Sequence, residues 1–149
     1  MDLQINVGDS ILYIRTAGII RTKNGILFEK HPKGYIYLLG GKIQIDESSD
    51  QAIKREIKEE IDFTISNVKL ISVLENFFPM ENGKIHEICF VYDVEDIFIG
   101  QIPENMTEVK PEDLGKHQIL PLPIGEMLKN KDFSFKHLII RQADIINLF

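Results

Sequence analysis

Apolar positions along this chain follow two periods, and the change between them divides it into strands and helices. Residues 10–21 are dense in Ile, Leu and Tyr, and Lys23-Asn24-Gly25 is a hairpin turn into Ile26-Leu27-Phe28-Glu29. Residues 35–39 read as a short strand that delivers Gly40 and Gly41. Residues 68–78 read as a long strand, with a return at Glu81-Asn82-Gly83-Lys84 and a partner over 85–94. Residues 119–122 form a further short extended piece. In the middle the period shifts to four: Ile53, Ile57 and Ile61 make one apolar helical stripe, and Ala52, Glu56 and Glu60 the next. The small Ala52 is expected to leave room for a ligand beside Glu56. Ser48 is a good N-cap, and Gln51 three residues on completes a capping box. Two more helices are predicted at 124–129 and 135–148. Interleaved strands and helices, without repeats or a linker, predict one α/β domain over residues 1–149, a mixed sheet with helices on both sides.

Charge adds chemistry to that outline. Arg55-Glu56-Ile57-Lys58-Glu59-Glu60 puts three carboxylates within five helical residues, and residues four apart share a face. Such repulsion gains a helix nothing by itself. It makes sense around a hard cation, which takes carboxylate oxygens and keeps positions free for phosphate and water. A solvated Lys/Glu-rich surface helix is the plain alternative, and Arg55 with Glu59 suits it as an i,i+4 pair. That alternative leaves unexplained the spacing of Gly40-Gly41 and Glu47 ahead of the helix.

The stretch resembles the Nudix box, Gly-x5-Glu-x7-Arg-Glu-U-x-Glu-Glu-x-Gly-U, with U a bulky apolar residue. Gly41, Glu47, Arg55, Glu56, Ile57, Glu59, Glu60 and Phe63 fall on it in register. Asp62 stands where the pattern has its second glycine, at a helix end that favours the left-handed conformation; Asp tolerates that conformation better than most residues. The resemblance implies the Nudix α/β/α sandwich with the box as a loop-helix-loop. It implies a metal-dependent pyrophosphohydrolase that cleaves a nucleoside diphosphate linked to another group X. Mg²⁺, with Mn²⁺ as a substitute, would be held by Glu56, Glu59 and Glu60 and by the backbone carbonyl of Gly40. Arg55 would pair with Glu47 as a scaffold, and Glu56 is the first choice of base. A regulatory module that binds a nucleotide without cutting it is the alternative; such domains usually lose a box glutamate, and none is lost here.

Composition narrows the class further. The chain has 149 residues, 44% of them hydrophobic, and a net charge of −6 with no basic run, which argues against a nucleic-acid binder. A negative enzyme acting on polyphosphates needs a cation to offset repulsion. Cys89 is the only cysteine, so no intrachain disulfide forms and a reducing, cytoplasmic setting is expected. Its apolar surroundings, Ile88-Cys89-Phe90-Val91, point to a buried structural thiol. The start, Met-Asp-Leu-Gln, lacks the basic and apolar regions of a leader, and no membrane partner is expected.

Outside the box, Arg15 lies in what resembles the family's first core strand, where an arginine often reaches substrate phosphates; a surface arginine is equally compatible. His86-Glu87 resembles a pair seen on the corresponding strand in small members, and alternation would turn Glu87 toward the metal site or leave the two as an exposed edge pair. Glu108, Glu112 and Asp113 occupy the loop from which some members supply a base. His31 and His117 read as solvated turn residues. Pro79 sits where a proline is associated with ADP-ribose-type members, although it also suits the end of a strand. Phe77, Phe78, Tyr13 and Tyr37 are candidates to stack a base, or core residues. A nucleotide-type small molecule is the expected partner, and a homodimer is left open.

Overall fold

Thirteen residues of β2 (Ser10–Thr22) run through the centre of the sheet, and the segment from Arg15 to Ile20 is buried throughout. Burial on both faces explains why this strand reads as a continuous apolar run rather than an alternation. On one face Ala17 and Ile19 pack with Phe28, Leu38, Cys89 and Val91. On the other, Ile20 packs with Leu27, Leu39, Ile53, Ile57 and Tyr92. The structure is a computed structural model that describes residues 1–120 apart from 33, 81 and 82. The two helices predicted beyond residue 120 lie outside the described residues, as does the tip of the return at Glu81-Asn82.

One nine-stranded sheet contains every strand among the described residues. The remaining strands are β1 (Gln4–Val7), β3 (Ile26–Lys30), β4 (Ile36–Tyr37), β5 (Leu39–Lys42), β6 (Val68–Met80), β7 (Gly83–Phe98), β8 (Met106–Val109) and β9 (Ile119–Leu120). Its main path is β6-β7-β2-β3-β4-β9, with β1 and β5 also on β2 and β8 on β3. β2 and β7 are parallel, as are β4 and β9, and the other pairs are antiparallel, so the sheet is mixed as expected. The strand expected over 35–39 is split into β4 and β5, which pair with different partners. Pro79 pairs with Lys84 near the end of the β6–β7 hairpin. Sequence patterning does not reveal β1 and β8. β1 is short and exposed, and β8 is a four-residue piece whose pairing with β3 is long-range.

Helix α1 (Ser49–Ile61) begins at Ser48, whose N–H donates to Gln51 Oε1 at 3.1 Å in the predicted capping box. Ile53 and Ile57 are fully buried, Ile61 partly so. Ile53 comes so close to β2 that a Cβ on Gly18 would lie 3.1 Å from its Cδ1. Ala52 is fully buried too. Asp62 closes the helix in the left-handed conformation, φ 52° and ψ 39°, with its N–H on the Lys58 carbonyl. No helix among the described residues is long and apolar enough to cross a membrane.

Candidate active site

Arg55 is the hub of the loop-helix-loop. Its guanidinium meets Glu47 as a two-pronged fork, Nε to Oε2 at 2.6 Å and Nη2 to Oε1 at 2.9 Å. It also donates to Glu56 Oε1 at 2.9 Å, to Glu59 Oε2 at 3.4 Å and to the Lys42 carbonyl at 3.2 Å. Glu47 in turn accepts the Gln44 N–H at 3.1 Å. The loop is thereby tied to the helix at both ends. The Arg55 hydrogen bonds hold the Glu47 carboxyl below its usual range, and those to Glu47 and Glu56 raise the guanidinium.

Glycine at 40 and 41 answers two close approaches. A Cβ on Gly40 would fall 2.0 Å from the Thr16 carbonyl oxygen. One on Gly41 would fall 2.4 Å from Glu56 Cδ, so the Glu56 carboxylate lies directly over the Gly41 backbone. Glu60, one turn further along α1, is half-buried, and its Oε2 is buried without a hydrogen-bond partner. Burial first, then the charges of Glu29, Glu56 and Glu59, push its carboxyl up to about 8 against an opposing pull from Arg15. Glu59 points outward with its side chain 59% exposed.

Beside these lies a cavity of about 360 Å³ lined by Asp2, Tyr13, Arg15, Glu29, Gly40, Gly41, Lys42 and Glu87. Arg15 is buried and donates to the Leu38 carbonyl at 3.3 Å. Burial alone would lower its pKa, but Cys89, Glu87, Glu29 and Glu60 around it raise it, so it stays a cation. Glu87 is turned inward and fully buried, whereas its neighbour His86 faces the other way, against the Phe77 ring at 4.5 Å and Glu75 at 3.4 Å. Exposed Phe77 therefore lies outside the cavity, while Tyr13 lines it.

Glu29 was missed by sequence reasoning. Burial raises its carboxyl, with Glu56 adding and Arg15 opposing. Across the β3–β4 pair stands Tyr37, whose hydroxyl burial and then Glu29 push up to about 12. An acid closing the apolar run Ile26-Leu27-Phe28 was the available signal, but it reads equally as a strand end. The loop acids stand elsewhere. Glu108 accepts the Thr22 hydroxyl on β8 and lines a separate depression with Lys23, Asn24 and Phe98. Asp113 pairs with Lys116 at 2.9 Å in a 3-10 turn, Pro111–Lys116, which also contains Glu112. Cys89 is buried, and burial raises its thiol to about 12, as an inert packing residue should show. His31 and His117 are half-buried rather than solvated; His31 stacks on buried Tyr35 at 4.4 Å.

Among the described residues no three acidic, histidine or cysteine side chains converge as a formed metal cage. The donors nonetheless suit a hard cation. They are all oxygens, Glu60 Oε2 has no partner, and Glu56 and Glu60 are close enough for one to raise the other.

Comparison with known proteins gives the class. The NUDIX domain profile matches residues 6–131, and the chain belongs to the Nudix family. It is similar to 8-oxo-dGTP diphosphatase of Escherichia coli strain K12, 35% identical over 68 residues, which are 42% of this chain and 53% of that protein. The chain thus spans about half the length of the curated relative it matches. Among solved structures it is similar to a MutT NUDIX hydrolase from Burkholderia pseudomallei, with a TM-score of 0.57, 25% identity, and 76% and 89% of the two chains covered. A MutT protein from Bacillus halodurans has a TM-score of 0.58 at 22% identity, covering 78% of each chain, and bears on the fold alone.

Proposed function

We propose that this protein is a divalent-metal-dependent pyrophosphohydrolase acting on a nucleoside diphosphate linked to a further group, with nucleoside triphosphates the first substrates to assay. The observation that carries this is the unequal treatment of the box carboxylates. Glu47 is neutralised by Arg55, while Glu60 is half-buried, partnerless at one oxygen and pushed up to about 8. A chain gains nothing from crowding carboxylates unless a cation is to join them.

Glu56 and Glu60 would hold Mg²⁺, or Mn²⁺ in its place, with Glu59 and the Gly40 carbonyl as further donors. The ion supplies a lowered pKa for the attacking water and offsets charge on the bridging oxygen. Water attacks one phosphorus and the phosphoric anhydride bond breaks. Products are a nucleoside monophosphate and phosphorylated X, or pyrophosphate when the substrate is a triphosphate. Glu56, held over Gly41 by Arg55, accepts the water's proton. Arg15 faces the substrate phosphates as a fixed cation. Arg55 and Glu47 keep the loop in place. The family match and the named 8-oxo-dGTP diphosphatase relative support a nucleotide substrate. A single domain over 1–149 in a reducing compartment suits the lone buried thiol.

The test is a screen of nucleoside triphosphates, ADP-ribose, nucleotide sugars and dinucleoside polyphosphates with Mg²⁺, products identified by chromatography. Monophosphate release that stops in excess chelator is expected. Full turnover in chelator, or binding of nucleotides with no cleavage of any, would overturn the reading, the second outcome in favour of a regulatory module.

A further inference from the structure

At the end of the cavity away from the box, Glu87 and Asn76 are cross-strand partners on β7 and β6, and both are fully inaccessible to solvent. Asn76 Nδ2 donates to Glu87 Oε1 at 3.0 Å. That single bond leaves Glu87 Oε2 and Asn76 Oδ1 buried with no hydrogen-bond partner. Unsatisfied buried acceptors are costly, and two on cross-strand partners call for an explanation. Glu87 lines the cavity, next to Tyr13 and Arg15. Along one edge of β2, Tyr13 pairs with Glu87 of β7, and along the other Arg15, Thr16 and Ala17 pair with Lys42, Gly41 and Gly40 of β5. Glu87 therefore reaches the cavity from the opposite edge of β2 to the box glycines, with Arg15 on the strand between them.

We propose that Glu87, fixed in place by Asn76, selects the nucleobase, accepting hydrogen bonds from an edge that carries two adjacent N–H donors. This rests on the nucleotide reading above. Guanine presents a ring N1–H beside its 2-amino group. Adenine and cytosine offer one amino group next to a ring acceptor, and uracil and thymine set their single N–H between two carbonyls. Burial raises the Glu87 carboxyl, but Arg15 and the Asn76 hydrogen bond favour its ionised form, and two N–H donors favour it further; an acceptor aimed at that carboxylate is repelled, so the arrangement rejects those bases as well as favouring the first. Tyr13, with Lys42 Nζ 4.3 Å from its ring centroid, is the flat side chain beside this edge. Asn76 does not line the cavity and acts as a positioning residue.

The experiment is a base series on the parent protein with Mg²⁺: kcat/KM for GTP, ITP, ATP, CTP and UTP, ITP being GTP without its 2-amino group. A preference for GTP of about tenfold or more over ITP, and larger over ATP, is expected, since sites built around polar groups discriminate strongly against analogues that leave them unpaired. Glu87→Gln should collapse that preference mainly through KM for GTP. ITP or ATP used as well as GTP by the parent overturns the proposal, whether or not the variant folds. So does a kcat loss in Glu87→Gln that is equal for every base, because Glu87 would then serve the chemistry. If no triphosphate is hydrolysed, calorimetric binding of GMP, IMP and AMP reads the same preference. A retained order there sinks the hydrolase reading alone, and equal or absent binding sinks this one.

Discussion

Arg55 and Arg15 anchor two halves of one site under opposite conditions. Arg55 lies at a part-exposed rim, its side chain 23% exposed, and meets three carboxylates and a backbone carbonyl within 3.4 Å. Arg15 is buried in the interior, surrounded by the charges of Glu87, Glu29 and Glu60, two of which keep an oxygen without a partner. At the rim, each carboxylate meets the guanidinium and the loop is tied to the helix. In the interior, burial raises the carboxyls of Glu60, Glu29 and Glu87, and Arg15 only partly opposes it. The contrast separates scaffold from working surface: groups that complete one another hold the fold, and groups left incomplete await a ligand.

The largest expected effect comes where the two halves meet, at Glu60 of the interior and Glu56 of the rim. Glu60→Gln and Glu56→Gln should each lower turnover by roughly 10²-fold or more, because glutamine is a poorer ligand for a hard cation and cannot accept a proton. Neither residue packs the helix, since burial of α1 falls on Ala52, Ile53 and Ile57, so both variants should fold. Steady-state rates on the best substrate measure this, and activity within about twofold of the parent in both would move the chemistry to other acids, Glu29 foremost.

Next comes the completed half. Arg55→Ala strips Glu47, Glu56 and Glu59 of their common partner. The pair is partly exposed, so about 2 kcal/mol is a fair figure, between surface and buried ion pairs. For a chain of this size that is a fall in Tm of roughly 4–8 °C, with activity lost alongside. Arg55→Lys should recover little, since an ammonium cannot make the Nε and Nη2 fork to Glu47. An unchanged melting temperature in Arg55→Ala would refute the scaffold role and erase the distinction between the halves.

The two halves also differ in how openly the sequence announces them. Gly41, Glu47, Arg55, Glu56, Glu59 and Glu60 sit within a span of twenty residues, where helical and loop spacing fixes who meets whom. The Arg55–Glu47 fork and the left-handed Asp62 are legible through the resemblance of this stretch to the Nudix box, while spacing alone gives the Arg55–Glu59 pair. The cavity end draws on β2, β3, β6 and β7, and its contacts depend on strand register over long separations. From spacing, Glu87 is only one of two faces of an alternating strand. Asn76 leaves no trace, and Glu29 only an acid at the end of an apolar run, because a lone polar residue on a strand has no spacing signature.

A pH measurement probes the same contrast in stability. Burial and neighbouring charge place the Glu60 carboxyl at about 8 in the folded chain, whereas an unfolded glutamate titrates near ~4.3. Between those values the native protein holds more protons than the unfolded chain, so metal-free stability falls as pH rises across the window and levels off above it. Glu29 and Glu87 are raised as well and act in the same sense. Glu47 and Asp50, whose carboxyls are lowered, act at more acid pH and leave this window alone. Melting in chelator should therefore fall from about pH 5.5 to about 8.5, by less in Glu60→Gln, and saturating Mg²⁺ should remove most of the decline. A parent and variant with parallel profiles would mean that Glu60 is not strained in the empty site.

The smallest effect concerns the position where this chain departs from the box. Asp62 holds φ 52° at the end of α1, a conformation that costs an L-residue roughly 1 kcal/mol or more and glycine almost nothing. Two terms work against a replacement. Glycine loosens the unfolded chain, and the Lys58–Asp62 contact at 2.6 Å is lost, although with Asp62 87% exposed that pair contributes little. The balance favours Asp62→Gly by a few tenths of a kcal/mol, a rise in Tm of about one degree. Turnover should be unchanged, because Asp62 touches neither the Arg55 network nor the cavity. Differential scanning calorimetry of the two proteins side by side resolves a change of that size. A clear fall in Tm would mean that the Lys58 contact outweighs the backbone strain and that Asp62 is a stabilising choice.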